Sequence, residues 1–279
     1  MEMKFLTVYS GQLVEVGQWQ REAADGQRFS TGIPGLDELL GPGLTRSGVH
    51  ELLYPANSAR PMLPALLLAR AAATAPRCGP AAVPVAGAFL AGPAGFAAHP
   101  PDIGENVGAR DTGGAGAIVI SDPQRRLYPP AAAQLGIPLS RLYLLHPRNR
   151  EEELWALAEC LASGGTCAVV AELGKLSQVE ARRLQLAAER GKSLGLWVRP
   201  AGTISSIYAA ATRFLVEPVP ATATGCCQRW RIQLLHGHGC QVGKSIVLEY
   251  NREEHTVHST SELADRAGAA EAAAVRAIA

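Results

Sequence analysis

The sequence predicts an α/β fold with a largely parallel central sheet, and three observations predict it. Apolar runs of strand length recur along the 279 residues, at 49–55, 117–121, 141–145, 167–171, 194–199 and 213–216. The segments between them are helical in pattern rather than tight turns, which suits parallel strands joined by crossover helices and covered on both faces. Apolar residues make up 47% of the chain, enough for a substantial buried centre in one large domain or in a core with small additions.

Residues 1–28 read as an adaptor segment, with a short apolar run at 5–9 and a mixed stretch around Trp19 of helical potential. A glycine-bracketed short helix is expected at 35–40. Ser30 and Thr31 can cap or turn the chain before it, and Asp37 and Glu38 sit in its first turn, where acidic residues suit the positive helix end. The strand at 49–55 turns through Pro55 to Arg60 into a helix at 62–73 that is nearly apolar throughout, so it is expected to be covered on more than one side. The span 74–114 is rich in Pro, Gly and Ala; a strand is expected at 83–90 and an exposed loop over 91–114, in which His99 and Asp102 read as surface residues.

The α/β rhythm returns after Gly114. Strands at 117–121, 141–145, 167–171, 194–199 and 213–216 alternate with a turn and helix at 122–136, helices at 151–162 and 178–189, and a short helix at 205–211. Glu151, Glu152 and Glu153 open one helix in the acidic-preferring position. Beyond a loop at 218–225 the pattern changes. RWRIQLL at 229–235 and SIVLE at 245–249, joined by HGHGCQVGK, read as an antiparallel hairpin closing the sheet. The expected organisation is thus 1–28 adaptor, 29–250 core and 251–279 tail, the tail being helical from Ser261 or frayed.

A formal charge of +1 gives no global reason to expect nucleic acid or an acidic partner. The first twenty residues carry no basic region followed by an apolar core and cleavage site, and no run has the length of a membrane span, so a cytoplasmic protein is expected. The six cysteines, at 78, 160, 167, 226, 227 and 240, are scattered and suit reduced thiols packed as small hydrophobes.

The stretch VHELLYPANSARPMLPALLLAR at 49–70 has the strand, loop and helix context of a phosphate-binding loop without its chemistry. Such a loop needs glycines where backbone N–H groups converge on phosphate, a lysine for the β- and γ-phosphates and a hydroxyl on magnesium. Ala59, Arg60 and Pro61 stand there instead. On the residues alone two readings stay open: a plain strand-to-helix connection, or a nucleotide-hydrolase core that has lost its site.

Other motifs weigh less. Gly243, Lys244 and Ser245 spell the end of a phosphate-loop motif, but the spacing puts His238 where glycine is required, and a strand follows rather than a helix. His236, His238 and Cys240, with Cys226 and Cys227, match none of the usual structural zinc spacings. The strand at 117–121 ends in Asp122, Pro123 and Gln124; Gln124 can orient water but cannot take its proton. The strand at 167–171 ends in Ala171 and Glu172, the latter readable as a surface pair with Lys175. Basic candidates for nucleic acid are Arg125, Arg126, Arg148, Arg150, Arg182, Arg183, Arg199, and Arg229 with Arg231, which alternate on one strand face; Lys244 could bind by charge alone.

On STGIPGLDELLGPGLTRSGVHELLYP at 30–55, and over about 28–250, the chain resembles the RecA-like P-loop NTPase core, and within that superfamily it is similar to the ImuA family of bacterial mutagenic translesion synthesis. ARRLQLAAERGKSLGLWVRP at 181–200 and RWRIQLL with its following strand resemble the ImuA middle and carboxyl-terminal hairpin. The resemblance implies a degenerate nucleotide site: Arg60 in place of the lysine, Pro61 in place of the magnesium hydroxyl, Gln124 in place of the catalytic glutamate, and Ala171 where a magnesium-associated aspartate is expected. It implies a non-catalytic accessory protein without cofactor or metal, acting with an ImuB-like Y-family polymerase homologue, an error-prone replicative-type polymerase and RecA. Arg229, Arg231 and Lys244 are the candidate partner or DNA contacts, and the tail from Ser261 is a second contact candidate. The competing readings are an ATP-dependent RecA/RadA-like recombinase and a SulA-like inhibitor of the cell-division protein FtsZ.

Overall fold

The computed structural model describes residues 6–9, 12–15, 28–41, 43–75, 116–203, 210–220, 227–237 and 240–261. In chain order the elements are β1 (Leu6–Tyr9), β2 (Gln12–Glu15), β3 (Arg28–Phe29), α1 (Pro34–Leu40), β4 (Leu44–Thr45), β5 (Gly48–Tyr54), α2 (Met62–Thr74), β6 (Ala117–Ser121), α3 (Pro129–Gln134), β7 (Leu142–Leu145), α4 (Arg150–Ala162), β8 (Thr166–Glu172), α5 (Gln178–Gly191), β9 (Leu194–Pro200), β10 (Thr212–Val219), β11 (Cys227–Gly237), β12 (Ser245–Asn251) and β13 (Thr256–Ser261).

The main sheet has nine strands in the order β13-β12-β11-β10-β5-β9-β8-β6-β7. From β10 to β7 every pairing is parallel; from β10 outward to β13 every pairing is antiparallel. The fold is therefore α/β with a mixed, mostly parallel sheet. The parallel strands fall within a few residues of their expected places, because β5, β6, β8 and β9 are buried on both faces and read as mostly apolar runs. β11 and β12 pair antiparallel, but they do not close the sheet: β13 adds another strand outside β12. Residues 256–261, placed in the tail by sequence, are thus sheet, while 262–279 lie outside the described residues.

Helices cover the sheet on both faces. One core joins α1, α2 and Ala132 of α3 to Leu52 and Tyr54 of β5, Ile118 and Ile120 of β6 and Leu196 and Val198 of β9. The second joins Leu157, Cys160 and Leu161 of α4 and Leu184 of α5 to Val49, Val119, Ala171 and Trp197. α2 is buried at 64–69 and 71–73, as an all-round apolar helix demands. Its carboxyl-terminal carbonyls are met by arginines: Arg46 donates to Ala72 O at 3.1 Å and Ala75 O at 3.3 Å, and Arg141 donates to Ala73 O at 3.3 Å.

Other features come from local chemistry. Asp37 accepts from Thr31 N (2.7 Å), Thr31 Oγ1 (2.8 Å) and Ser30 Oγ (2.5 Å), so the STG turn is tied to α1. Asn149 caps α4, and Ser177 with Glu180 forms a capping box on α5. Gly35 lies against β13: its N–H donates to Ser259 Oγ at 3.1 Å, and a Cβ there would come within 2.9 Å of that oxygen. The expectations at Trp19, 83–90, 91–114 with His99 and Asp102, and most of 205–211 fall outside the described residues.

Candidate functional site

In open α/β sheets, ligands sit beyond the carboxyl ends of the parallel strands. Five of the sequence-predicted residues lie on that edge: Ala59, Arg60 and Pro61 after β5, Gln124 after β6, and Ala171, the next-to-last residue of β8. The loop from Pro55 to Pro61 makes a tight turn, with Ser58 N donating to Pro55 O at 3.0 Å, and contains no glycine. At the start of α2, Pro61 and Pro64 have no N–H, Met62 N donates to Arg60 O at 2.8 Å and Ala65 N to Pro61 O at 3.2 Å. Only the Leu63 N–H, of residues 61–65, is outside these bonds. A phosphate cradle needs several convergent N–H groups, and this helix start cannot present them.

Arg60 is turned to the protein. Its Nε lies 2.6 Å from Glu172 Oε1 at the end of β8, so the side chain spans the intervening strand β9. The Tyr54 hydroxyl at the end of β5 donates to the same carboxylate oxygen at 3.4 Å. The Tyr54 hydroxyl pushes the Arg60 guanidinium above its ordinary range; burial opposes this, and the Glu172 charge adds to the rise. The sequence-based pairing of Glu172 with Lys175 is corrected: Arg60 is the partner. Ala171 is fully buried and faces α4 and α5, whereas Glu172 points to the opposite face, as the two-residue period of a strand requires.

Gln124 is exposed in the turn after β6, three strand positions from β5, on the order of 14 Å. Beside it, Asp122 is buried, and its carboxylate accepts from Arg126 N at 2.9 Å and Leu127 N at 2.8 Å, with His146 Nδ1 donating to its carbonyl at 2.8 Å. These bonds make Asp122 a turn-holding carboxylate rather than a base facing a cleft.

Beneath the loop lies a cluster that sequence reasoning missed. Glu51 in β5 is bonded to Arg199 of β9 and, at 2.7 Å, to Arg213 of β10, with Arg199 Nε also donating to Gly174 O at 3.2 Å. All three side chains are nearly inaccessible. Arg199, a candidate for nucleic acid by sequence, is therefore an internal ion-pair partner; only Glu51, a carboxylate in a mostly apolar strand, hinted at it. On the other face of β5, His50 is fully buried, donating from Nε2 to Thr45 O at 2.8 Å and accepting at Nδ1 from Thr212 Oγ1 at 2.7 Å. Burial drives its pKa down to about 4, so it is neutral.

The remaining candidates do not converge. Arg229 and Arg231 share a face of β11, but Arg229 is turned inward, 3.0 Å from Glu249 Oε2 and donating to Pro220 O at 3.1 Å, and Arg231 stands opposite Glu217. Lys244 is exposed in the turn before β12, where Val247 rather than Lys244 is in register with Arg231. Gly243 has φ +88° and Ser245 opens a strand, so Gly243 to Ser245 form a turn into β12. Cys240 Sγ donates to Leu40 O at 3.4 Å and Gln241 N to Leu39 O at 2.9 Å, docking this turn on the end of α1. His238 and Cys226 lie outside the described residues, among which no His, Cys, Asp and Glu group could hold a metal. Burial pushes the Cys160 thiol up to about 12. No helix among the described residues is long and apolar enough to cross a membrane.

No protein-family model matches the chain. Protein ImuA from each of two strains of Caulobacter vibrioides is 31% identical to it over 167 residues, an alignment that covers 54% of this chain and 68% of the relative. Identity at that level over two thirds of the relative, together with the motifs at 30–55 and 181–200, establishes that the chain belongs to the ImuA family.

Proposed function

We propose that this protein is a non-catalytic accessory factor of DNA-damage-induced mutagenic translesion synthesis, built on a RecA-like core whose nucleotide site has been closed from within. The observation that carries the reading is the Arg60–Glu172 pair: the arginine at the lysine position of a phosphate loop is satisfied by a carboxylate of its own chain, above a helix start poor in N–H groups. With Gln124 unable to take a proton and Ala171 unable to hold magnesium, the described residues of the carboxyl edge lack the lysine, hydroxyl and catalytic carboxylate that a phosphoryl-transfer site of this kind uses.

What remains is a nine-stranded sheet covered by helices on both faces, a fold that can hold partners without chemistry of its own. The partners in this reading are an ImuB-like protein, RecA and an error-prone polymerase; membership of the ImuA family supports a role in the ImuA/ImuB mutagenesis system. The test is twofold. Purified protein with an ImuB-like partner is expected to co-elute in size-exclusion chromatography, and magnesium-ATP is expected to be neither bound at micromolar concentration nor hydrolysed. Turnover abolished by Arg60→Ala would replace this reading with a recombinase, and binding to FtsZ without binding to the ImuB-like protein would replace it with a division inhibitor.

A further inference from the structure

On the face opposite α2, the seam between α4 and α5 opens to solvent as a groove of about 1110 Å3. The α5 wall carries Val179, Arg182, Arg183, Leu186 and Arg190, and Glu159 of α4 stands across from them. Val179 is 79% exposed and Leu186 47%. Isolated surface hydrophobes need no explanation, but these two stand seven residues apart on one helix, two turns or about 10 Å, inside one concavity. Arg183 and Arg190 continue the same stripe at helical spacing, and among the described residues neither makes an ion pair. Arg182 donates to Gln185 at 3.1 Å, whose amide in turn donates to Glu189 at 2.9 Å. Three guanidiniums against the single carboxylate of Glu159 leave the groove positive.

We propose that this groove docks a helical segment of a partner protein, one that presents two apolar anchors about two turns apart flanked by aspartate or glutamate. The stripe from Val179 to Arg190 runs about 16 Å, the length of three helical turns, and paired helices bury anchors at this spacing. The charge selects an acidic segment. Nucleic acid fits less well, because the wall holds aliphatic anchors and no aromatic platform on which bases could stack. The proposal stands apart from the closed nucleotide site and shares no residue with it.

The test is a selection of helical 16-residue peptides from a random display library on the immobilised full chain, followed by fluorescence anisotropy of the selected peptides. Expected are peptides with large apolar residues seven apart flanked by Asp or Glu. Their affinity should fall at least tenfold in Leu186→Ser and in Arg183→Glu with Arg190→Glu, while Arg125→Glu leaves it unchanged. Peptides with Lys in place of their acidic residues should bind the double-glutamate variant better than the native chain. Circular dichroism establishes that each variant is folded. No enrichment, enrichment without the acidic and apolar pattern, or binding that survives both variants overturns the proposal. So does a single-stranded 20-mer DNA that displaces the peptides and loses affinity with the arginines but not with Leu186.

Discussion

Around β5, arginine meets glutamate in two settings, and the contrast between them separates what holds the fold from what fills the site. Arg60 and Glu172 are 43% and 34% exposed and meet in water at the strand ends. Glu51, Arg199 and Arg213 are 5% to 7% exposed and link three adjacent strands inside the protein. An exposed pair is worth about 0–1 kcal/mol, so Arg60 and Glu172 meet at little cost and little gain. A buried charge, once its partner is removed, has no water to replace it. The inner cluster is therefore structural, while the outer pair contributes little to stability.

The sharpest way to break this contrast is Glu51→Ala, which leaves two guanidiniums buried without their carboxylate. A loss of about 3–5 kcal/mol is expected in urea unfolding. Replacing Glu51, Arg199 and Arg213 together by Leu, Met and Met should recover most of that loss, because the desolvation cost of all three charges disappears.

The next effect belongs to His50, on the opposite face of the same strand. Its folded pKa, about 4, lies below its ordinary value of 6.5, so the unfolded chain takes up the proton first as pH falls. The stabilisation is complete above pH 6.5 and is lost as pH drops from 6.5 towards 4. At about 1.4 kcal/mol per pH unit the loss is roughly 3 kcal/mol over that window. Urea midpoints of the native chain and His50→Gln at pH 7 and pH 4.5 measure it, and the variant should show the smaller pH dependence.

Smaller still is Arg60→Ala, expected to change stability by at most about 1 kcal/mol, as thermal unfolding would show. The smallest expected effect is none: Arg60→Lys with Pro61→Ser should not create ATP binding measurable by calorimetry, since Pro64 and the glycine-free loop still withhold the N–H groups a phosphate needs.

How far the sequence could be read follows the same division. Ala117–Ser121, Thr166–Glu172 and Leu194–Pro200 were legible because strands buried on both faces are written as apolar runs. The glycine-free loop after β5 and the prolines at the start of α2 were legible too, being local. What could not be read was pairing at a distance. Glu51 lies 148 residues from Arg199 and 162 from Arg213, and no local pattern announces either contact. Likewise, the choice of Arg60 over Lys175 as partner of Glu172 depends on strand order, with β5 and β8 on either side of β9. β13 was not legible because the mostly polar TVHSTS at 256–261 forms a strand only when β12 is there to pair with it.

The bond from Gly35 N to Ser259 Oγ joins residues 224 positions apart. α1 is synthesised 224 residues ahead of the strand it rests on, so this layer can be completed only after that stretch of chain has been made. Contacts of such long sequence separation form slowly. During that interval the apolar side of α1, Leu36, Leu39 and Leu40, lacks part of its eventual cover, and transiently exposed apolar surface of this kind favours association between chains.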